Sequence, residues 1–126
     1  MHIEHLAVWV KDIEYVRSFF RKFFQAQSSE KYVNPSKKFT SYFLSFSEGS
    51  RLELMHRTDI LNQSEENTLG LTHIAFSLGS KEKVDQLTLE LEKEGHKVIG
   101  NPRTTGDGYY ESVIQGPEEM IIELTI

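Results

Sequence analysis

The apolar positions at the start of the chain predict a strand followed by an amphipathic helix. Residues 3–10 are β-branched and apolar enough to favour a strand. Asp12, which follows, is a typical helix N-cap residue. The next apolar side chains recur every three or four residues, as on one face of a helix: Ile13, Val16, Phe20, Phe23 and Phe24.

A loop and a hairpin are predicted after this helix. Residues 25–38 are polar and predict a loop that holds at most a short edge strand. Residues 39–47 and 51–56 are two apolar stretches separated by Glu48-Gly49, which predicts a hairpin with a two-residue turn. The first half of the chain therefore predicts the order β-α-(β)-β-β.

The second half of the chain repeats this order. Residues 71–78 predict a strand, Ser80 a helix N-cap, and Gly95 the helix end. The apolar helix stripe between them consists of Val84, Leu87 and Leu91. A short strand over 96–99, a loop over 101–108, and a hairpin of 109–115 with 120–126 about Gly116-Pro117 complete the pattern.

The two halves indicate an internal duplication within a single domain, residues 1–126. The polar segment 57–69 predicts a linker between modules 1–57 and 70–126. The stretch Ile3–Val8 matches Leu71–Phe76, and Leu52–Leu54 matches Ile122–Leu124. The predicted class is α+β, with two tandem βαβββ modules forming a curved mixed sheet around a concave metal cleft.

Each half places one histidine and one glutamate on the sheet face away from its helix, because residues two apart on a strand share a face. These side chains are His5 and Glu53 in the first half, and His73 and Glu123 in the second. Together they are a divalent-metal set with nitrogen and oxygen donors, suited to zinc, nickel, cobalt, manganese or iron. Taken singly, a histidine near a strand start is more often a polar surface or satisfied core residue, and each glutamate could be a solvent-facing position of its strand.

Composition narrows the chemistry. The chain has 126 residues and no cysteine, which excludes disulfides, thiolate metal sites and cysteine nucleophiles. Its 14 Lys and Arg against 19 Asp and Glu give a net charge of −5, which disfavours a nucleic-acid partner. No apolar run is long enough to span a membrane, and no signal peptide is evident, so a cytoplasmic protein is expected.

Aromatic residues are expected to line the cleft. A two-residue turn at Glu48-Gly49 places Leu44 opposite Glu53 and Tyr42 opposite Met55. A four-residue loop over 116–119 places Tyr110 opposite Thr125, the matching position on the face of Glu123. With Trp9 they form a predicted substrate-binding wall for a partly apolar or planar small molecule. The competing interpretation is that these rings pack the sheet or a dimer.

These motifs resemble the vicinal oxygen chelate superfamily, which includes glyoxalase I, bleomycin-resistance proteins and extradiol dioxygenases. The resemblance covers the whole chain and rests on the paired modules and three stretches: Ile3–Ala7, Gly70–Phe76 and Gly116–Leu124. It implies one divalent metal held by His5, Glu53, His73 and Glu123, the ligand pattern of glyoxalase I. It also implies a homodimer and a lyase or isomerase that stabilises an enediolate, with Glu123 favoured as the base and Glu53 second.

The sequence departs from the glyoxalase I pattern at two places. Trp9 stands where short bacterial enzymes of this type carry an arginine that grips a glutathione carboxylate, which argues against a glutathione-linked substrate. The turn Gly116-Pro117-Glu118-Glu119 lacks the usual glycine, so a differently built turn is expected. Two alternatives stay open: a bleomycin-resistance-like binding protein, and an iron-dependent ring-cleaving dioxygenase.

Overall fold

The computed structural model describes residues 1–63 and 69–126. The chain divides into two compact units, Met1–Gln63 and Ser64–Ile126. The predicted linker over 57–69 spans this division, and its residues 64–68 lie outside the described residues. No helix in the described ranges has both the length and the apolar character needed to cross a membrane.

The first unit contains a mixed sheet and one helix. Its elements are β1 (His5–Trp9), α1 (Ile13–Phe23), β2 (Gln27–Ser28), β3 (Tyr32–Asn34), a 3-10 turn (Pro35–Lys37), β4 (Phe39–Ser45) and β5 (Arg51–Arg57). The strand order is β1-β5-β4-β2, and β3 also pairs with β4. The first strand runs parallel to β5, whereas β4 and β5 form an antiparallel hairpin.

The second unit has the same plan. Its elements are β6 (Ile74–Ser77), α2 (Lys81–Lys93), β7 (Lys97–Thr104), β8 (Tyr110–Gln115), a 3-10 turn (Pro117–Glu119) and β9 (Ile121–Thr125). The strand order is β6-β9-β8-β7, with β6 parallel to β9.

The duplication extends to the strand register. Ala7 of β1 pairs with Glu53 of β5, and Ala75 of β6 pairs with Glu123 of β9. The predicted α+β class and the paired modules are confirmed. Each unit therefore builds its own copy of the surface on which its histidine and glutamate lie.

Both predicted helix starts are confirmed by side-chain caps. Asp12 Oδ1 accepts a hydrogen bond from the backbone N–H of Tyr15 at 2.9 Å, and Ser80 Oγ accepts one from Lys83 at 3.3 Å. Each bond satisfies one of the orphan N–H groups at the start of a helix. At the other end of α2, Gly95 has φ +92°, the left-handed conformation that ends many helices.

The core of each unit lies on the helix-facing side of its sheet. In the first unit the fully buried side chains are Val16, Phe20, Leu44 and Leu54; in the second they include Val84, Leu91, Ile114, Ile122 and Leu124. Phe19 is also buried, although the predicted stripe omitted it. Because the apolar side chains pack against the helix on this side, the predicted histidine and glutamate of each half lie on the opposite face of the sheet.

The strand β7 is longer than predicted. The sequence predicts a strand over 96–99 and a loop at Asn101-Pro102, whereas β7 continues to Thr104. Its pairing with β8 shifts register twice between Val98 and Arg103. A proline is tolerated there because β7 is the edge of its sheet and the irregular pairing leaves its missing N–H without consequence.

The turn between β8 and β9 uses left-handed backbone without glycine. Glu118 has φ +53° and Glu119 has φ +64°, a conformation that costs a residue with a Cβ atom about 1 kcal/mol or more. The expected different construction of this turn is therefore a strained one. The Glu119 side chain is exposed.

Replacing Glu119 with glycine is expected to stabilise the protein by about 0.5–1 kcal/mol, because glycine adopts this conformation without the steric penalty. Thermal unfolding should show a midpoint raised by a few degrees. The control is Glu119→Ala, which removes the same carboxylate but keeps the Cβ atom. An equal gain in both variants would show that charge, not backbone strain, is responsible.

Candidate functional site

The first unit brings His5 and Glu53 together on the sheet face away from α1. Nε2 of His5 lies 3.9 Å from Oε2 of Glu53. The Glu53 side chain is 16% exposed and the His5 side chain 39%, so the carboxylate is the more sheltered partner. The edge of the His5 ring also contacts the Phe43 ring, with centroids 5.3 Å apart.

The second unit makes the same pair from His73 and Glu123. Nε2 of His73 lies 3.7 Å from Oε2 of Glu123, and the two side chains are 43% and 19% exposed. The predicted strand over 71–78 begins only at Ile74, so His73 precedes β6 instead of lying within it. The pair forms nevertheless, because Ala75 on β6 is directly opposite Glu123.

In both pairs the other ring nitrogen of the histidine is hydrogen-bonded to the preceding residue. Nδ1 of His5 donates to Oε2 of Glu4 at 2.5 Å, since an ionised carboxylate can only accept. Nδ1 of His73 shares a hydrogen bond with the Thr72 hydroxyl at 3.0 Å. With Nδ1 as the donor, a neutral His5 ring carries its lone pair on Nε2, the nitrogen nearer Glu53, which is the tautomer that a metal-ligating histidine needs.

Glu4 is itself held by two hydrogen-bond donors. Its carboxylate accepts hydrogen bonds from His5 and from Nε of Arg51, the latter at 2.7 Å. These hydrogen bonds, with that of His5 the larger effect, lower the pKa of Glu4 below its ordinary value. Glu4 therefore stays an ionised acceptor that orients the His5 ring.

The donor atoms of each pair fit a divalent metal ion. Ligand bonds of about 2.1 Å place two tetrahedral donors about 3.4 Å apart and two octahedral donors about 3 Å apart. The observed separations of 3.9 and 3.7 Å are wider by less than 1 Å, so small side-chain rotations suffice. Within residues 1–63 and 69–126, no group of three or more His, Asp or Glu side chains is gathered as a metal cluster. Each pair by itself supplies one nitrogen and one carboxylate donor.

The predicted positions of Tyr42 and Tyr110 are wrong by one residue in strand register. Phe43, not Leu44, lies opposite Glu53, and Val113 lies opposite Glu123. The cause is loop length: residues 46–50 and 116–120 are five-residue connections, where loops of two and four residues were expected. A one-residue slip transfers every side chain to the other face of the sheet.

Both tyrosines instead fasten the sheet to the helix of their own unit. The Tyr42 hydroxyl donates to Oε1 of Glu14 on α1 at 2.9 Å, and the Tyr110 hydroxyl donates to Oδ1 of Asp85 on α2 at 2.7 Å. Tyr42 is buried, with 6% of its surface exposed. The tyrosines are thus structural contacts of the duplicated plan, away from the His–Glu faces.

Replacing Tyr42 with phenylalanine is expected to cost about 1 kcal/mol near neutral pH, since one hydrogen bond is lost and the ring stays buried. Hydrogen bonds from Lys31, the larger effect, and from Tyr42 lower the pKa of Glu14. A carboxyl group whose pKa is lowered by folding stabilises the protein at pH values above its unfolded-state pKa of about 4.3. This stabilisation is lost as the pH falls through the lower pKa of the folded state. Denaturant unfolding at pH 7 and at pH 3 should show the difference between wild type and variant shrinking at the lower pH. A constant difference would contradict this.

Trp9 lies on the predicted face and lines an open cavity. The cavity has a volume of about 480 Å³ and is lined by Trp9, Lys37, Phe39 and Arg57. The Trp9 ring meets the Phe39 ring edge-on at 6.1 Å, and the Arg57 guanidinium lies 5.7 Å from the Trp9 centroid. Sequence reasoning missed the last three lining residues. Arg57 could have been found, because it is four residues after Glu53 and so shares its face.

Two βαβββ units, each with a His–Glu pair on the sheet face away from its helix, define a duplicated α+β protein. The model of the Glyoxalase/Bleomycin resistance protein/Dioxygenase superfamily matches residues 2–124. The chain belongs to this superfamily, as its sequence motifs predicted. Members of the superfamily generally bind a divalent metal.

Similar proteins come from several organisms. The uncharacterized protein YqjT of Bacillus subtilis (strain 168) is 27% identical over 127 residues, which cover 97% of this chain and 96% of that protein. A "possible glyoxalase" from Bacillus cereus is 25% identical with a TM-score of 0.75, covering 100% of this chain and 99% of the other. Glyoxalase I from Zea mays gives a TM-score of 0.81 at 21% identity, and 98% of this chain spans only 44% of that one.

Proposed function

We propose that this protein is a metal-dependent enzyme of the glyoxalase type, a lyase or isomerase acting on a small molecule. The observation that carries the proposal is the repetition of one side-chain arrangement. Nε2 of a histidine lies 3.9 Å from a glutamate oxygen in one unit and 3.7 Å in the other, at the same strand register. If these residues were only polar surface positions, the same histidine–glutamate pair would not be expected at the same register in both units.

The proposed metal ligands are His5, Glu53, His73 and Glu123. The two pairs together would bind one divalent ion, drawn from zinc, nickel, cobalt, manganese and iron, and they would come from one chain or from two chains of a homodimer. Histidine and carboxylate donors without thiolate suit all of these ions. When bound, the ion supplies Lewis acidity that polarises a substrate carbonyl oxygen.

The glutamates are the proposed bases. Abstraction of a proton next to a carbonyl needs a carboxylate that is within reach and sheltered from water. Glu123 is the favoured base and Glu53 the second, and both side chains are less than one-fifth exposed. The proton would move to a carboxylate oxygen and return from it to a neighbouring carbon or oxygen of the substrate.

The second candidate is a small-molecule binding protein without turnover, as in the bleomycin-resistance branch. The cavity beside Trp9 favours it, because an aromatic-lined cavity of about 480 Å³ can hold a ligand without any catalytic group. Ring-cleaving oxygenation on iron is a weaker alternative. It is disfavoured by Glu53, since such enzymes typically use two histidines and one glutamate.

The deciding experiment is elemental analysis of protein purified without chelator, followed by substrate trials on the metal-loaded sample. A stoichiometric divalent metal and turnover of an α-ketoaldehyde or related carbonyl compound support the enzyme. Ligand binding that survives EDTA, without turnover, supports the binding protein. Oxygen uptake with catechols under ferrous iron supports the dioxygenase. With glutathione and methylglyoxal we expect little turnover, because Trp9 replaces the arginine that would hold the glutathione carboxylate.

A further inference from the structure

The cavity beside Trp9 combines aromatic and cationic walls. Phe39 presents its ring to Trp9 at 6.1 Å and is itself contacted by the Tyr32 ring at 6.1 Å. Lys37 and Arg57 provide the charge, and the cavity has no acidic lining residue in the described part of the chain. The Trp9 side is open, with 43% of this residue exposed. A planar group can therefore lie against the exposed Trp9 ring and meet a positive charge.

The cavity lies on the same face as the His5–Glu53 pair. The register places Ala7 beside Glu53, Trp9 beside Met55, and Phe39 beside Arg57. Two residues along a strand advance about 7 Å. Trp9 is thus one side-chain row, and Arg57 two rows, from Glu53. One elongated molecule can reach both the cavity and the proposed metal ligands of this unit.

The two cations differ in availability. The Arg57 guanidinium is bonded to both carboxylate oxygens of Asp59, with its Nε at 2.9 Å from Oδ1, so its charge is largely balanced. Lys37 has no carboxylate within ion-pair distance among residues 1–63 and 69–126. Its backbone is anchored, because its N–H donates to Oδ1 of Asn34 at 3.2 Å in the 3-10 turn. The Lys37 ammonium is therefore the group ready to meet an anion.

We propose that this cavity selects a substrate with a planar apolar group that carries a carboxylate. The ring would lie against Trp9 and Phe39, and the carboxylate would accept hydrogen bonds from the Lys37 ammonium. This inference rests on the proposed function for the reacting end of the molecule, which would lie at the His5–Glu53 end of the same face. The overall negative charge of the protein would favour a cationic ligand, but Lys37 and Arg57 in the cavity lining would repel one.

The test is fluorescence titration of metal-free protein, kept in EDTA, because Trp9 is the single tryptophan of the chain. The probes are phenylacetate, its uncharged amide phenylacetamide, and the cation 2-phenylethylamine. Phenylacetate is expected to bind in the millimolar range and about threefold to fivefold more tightly than the amide, the effect of one exposed ion pair. Preference for the amine, equal binding of acid and amide, or no binding of any probe overturns the proposal.

A matched pair of variants tests whether the Lys37 ammonium is the group that binds the carboxylate. Lys37→Met is expected to remove the preference for phenylacetate over phenylacetamide, whereas Lys38→Met, the same change one residue away and outside the cavity lining, keeps it. If both variants lose it equally, general electrostatics explain the preference and the proposal is wrong.

The His5→Ala variant separates this inference from the proposed function. It should leave phenylacetate binding unchanged while metal binding is lost. Binding of phenylacetate only to metal-loaded protein would contradict the cavity assignment and leave the metal site standing. Cavity binding as expected, in a protein that takes up no metal, would contradict the proposed function alone.

Discussion

Replacing His73 with alanine is expected to abolish stoichiometric binding of a divalent metal ion. The imidazole supplies one of the four proposed ligands, and its Nε2 lies 3.7 Å from Oε2 of Glu123. Losing one neutral nitrogen donor leaves a site with one histidine and two carboxylates, which binds such ions far more weakly. Elemental analysis after dialysis should give about one ion per site for wild type and almost none for the variant.

His96→Ala is the matched control, since it removes a histidine of the same unit that lies outside the pairs. It should retain the metal. His5→Ala should behave as His73→Ala does, because the two units contribute equivalent pairs to the proposed site. Retention of full metal content by either pair variant, with the fold intact by circular dichroism, would exclude the four-ligand proposal. Loss in one variant only would show that a single unit holds the ion.

The His–Glu pairs were predictable because they depend on properties that a sequence displays directly. The two-residue period of a strand indicates which side chains share a face. The repeat of the two halves of the sequence indicates which strands are equivalent. Each pair needs only those two facts, because a parallel partner brings Ala7 beside Glu53 and Ala75 beside Glu123. No knowledge of loop conformation enters.

The aromatic wall was not predictable in the same way. Its placement depends on the hairpin register, and the register depends on whether each loop has an even or an odd number of residues. Glu48-Gly49 suggests a two-residue turn, but the connection from β4 to β5 takes five residues. That single difference moves Tyr42 to the core and brings Phe43 beside Glu53.

The conformation of the turn before β9 could not be predicted from the preferences of its residues either. Glutamates are poor residues for left-handed backbone, so the sequence argues against the conformation that Glu118 and Glu119 adopt. The pairing of Gln115 with Ile121 requires it, and the Gly116 N–H closes the loop by donating to the carbonyl of Met120 at 2.7 Å. Tertiary pairing therefore overrides a local cost of about 1 kcal/mol per residue.

Replacing Phe20 with alanine is expected to destabilise the protein by about 3–5 kcal/mol, the largest effect on stability among the changes considered. Phe20 is fully buried on α1, with 0% of its surface exposed. Its ring lies 5.2 Å from Phe19, 5.4 Å from Phe24 and 6.4 Å from Phe46, centroid to centroid. Truncation removes these contacts and leaves a cavity that rigid neighbouring rings fill poorly.

Phe23→Ala on the same helix is the control for helix propensity and ring loss. Its ring is only half-buried and packs against Phe19 at 5.2 Å and beneath the Lys22 ammonium, so a cost of about 1 kcal/mol is expected. Denaturant unfolding should separate the two variants by at least about 2 kcal/mol. Similar losses would mean that the α1 core is loosely packed. The helix α1, which packs against the other face of the strand that carries Glu53, would then hold the proposed site less rigidly.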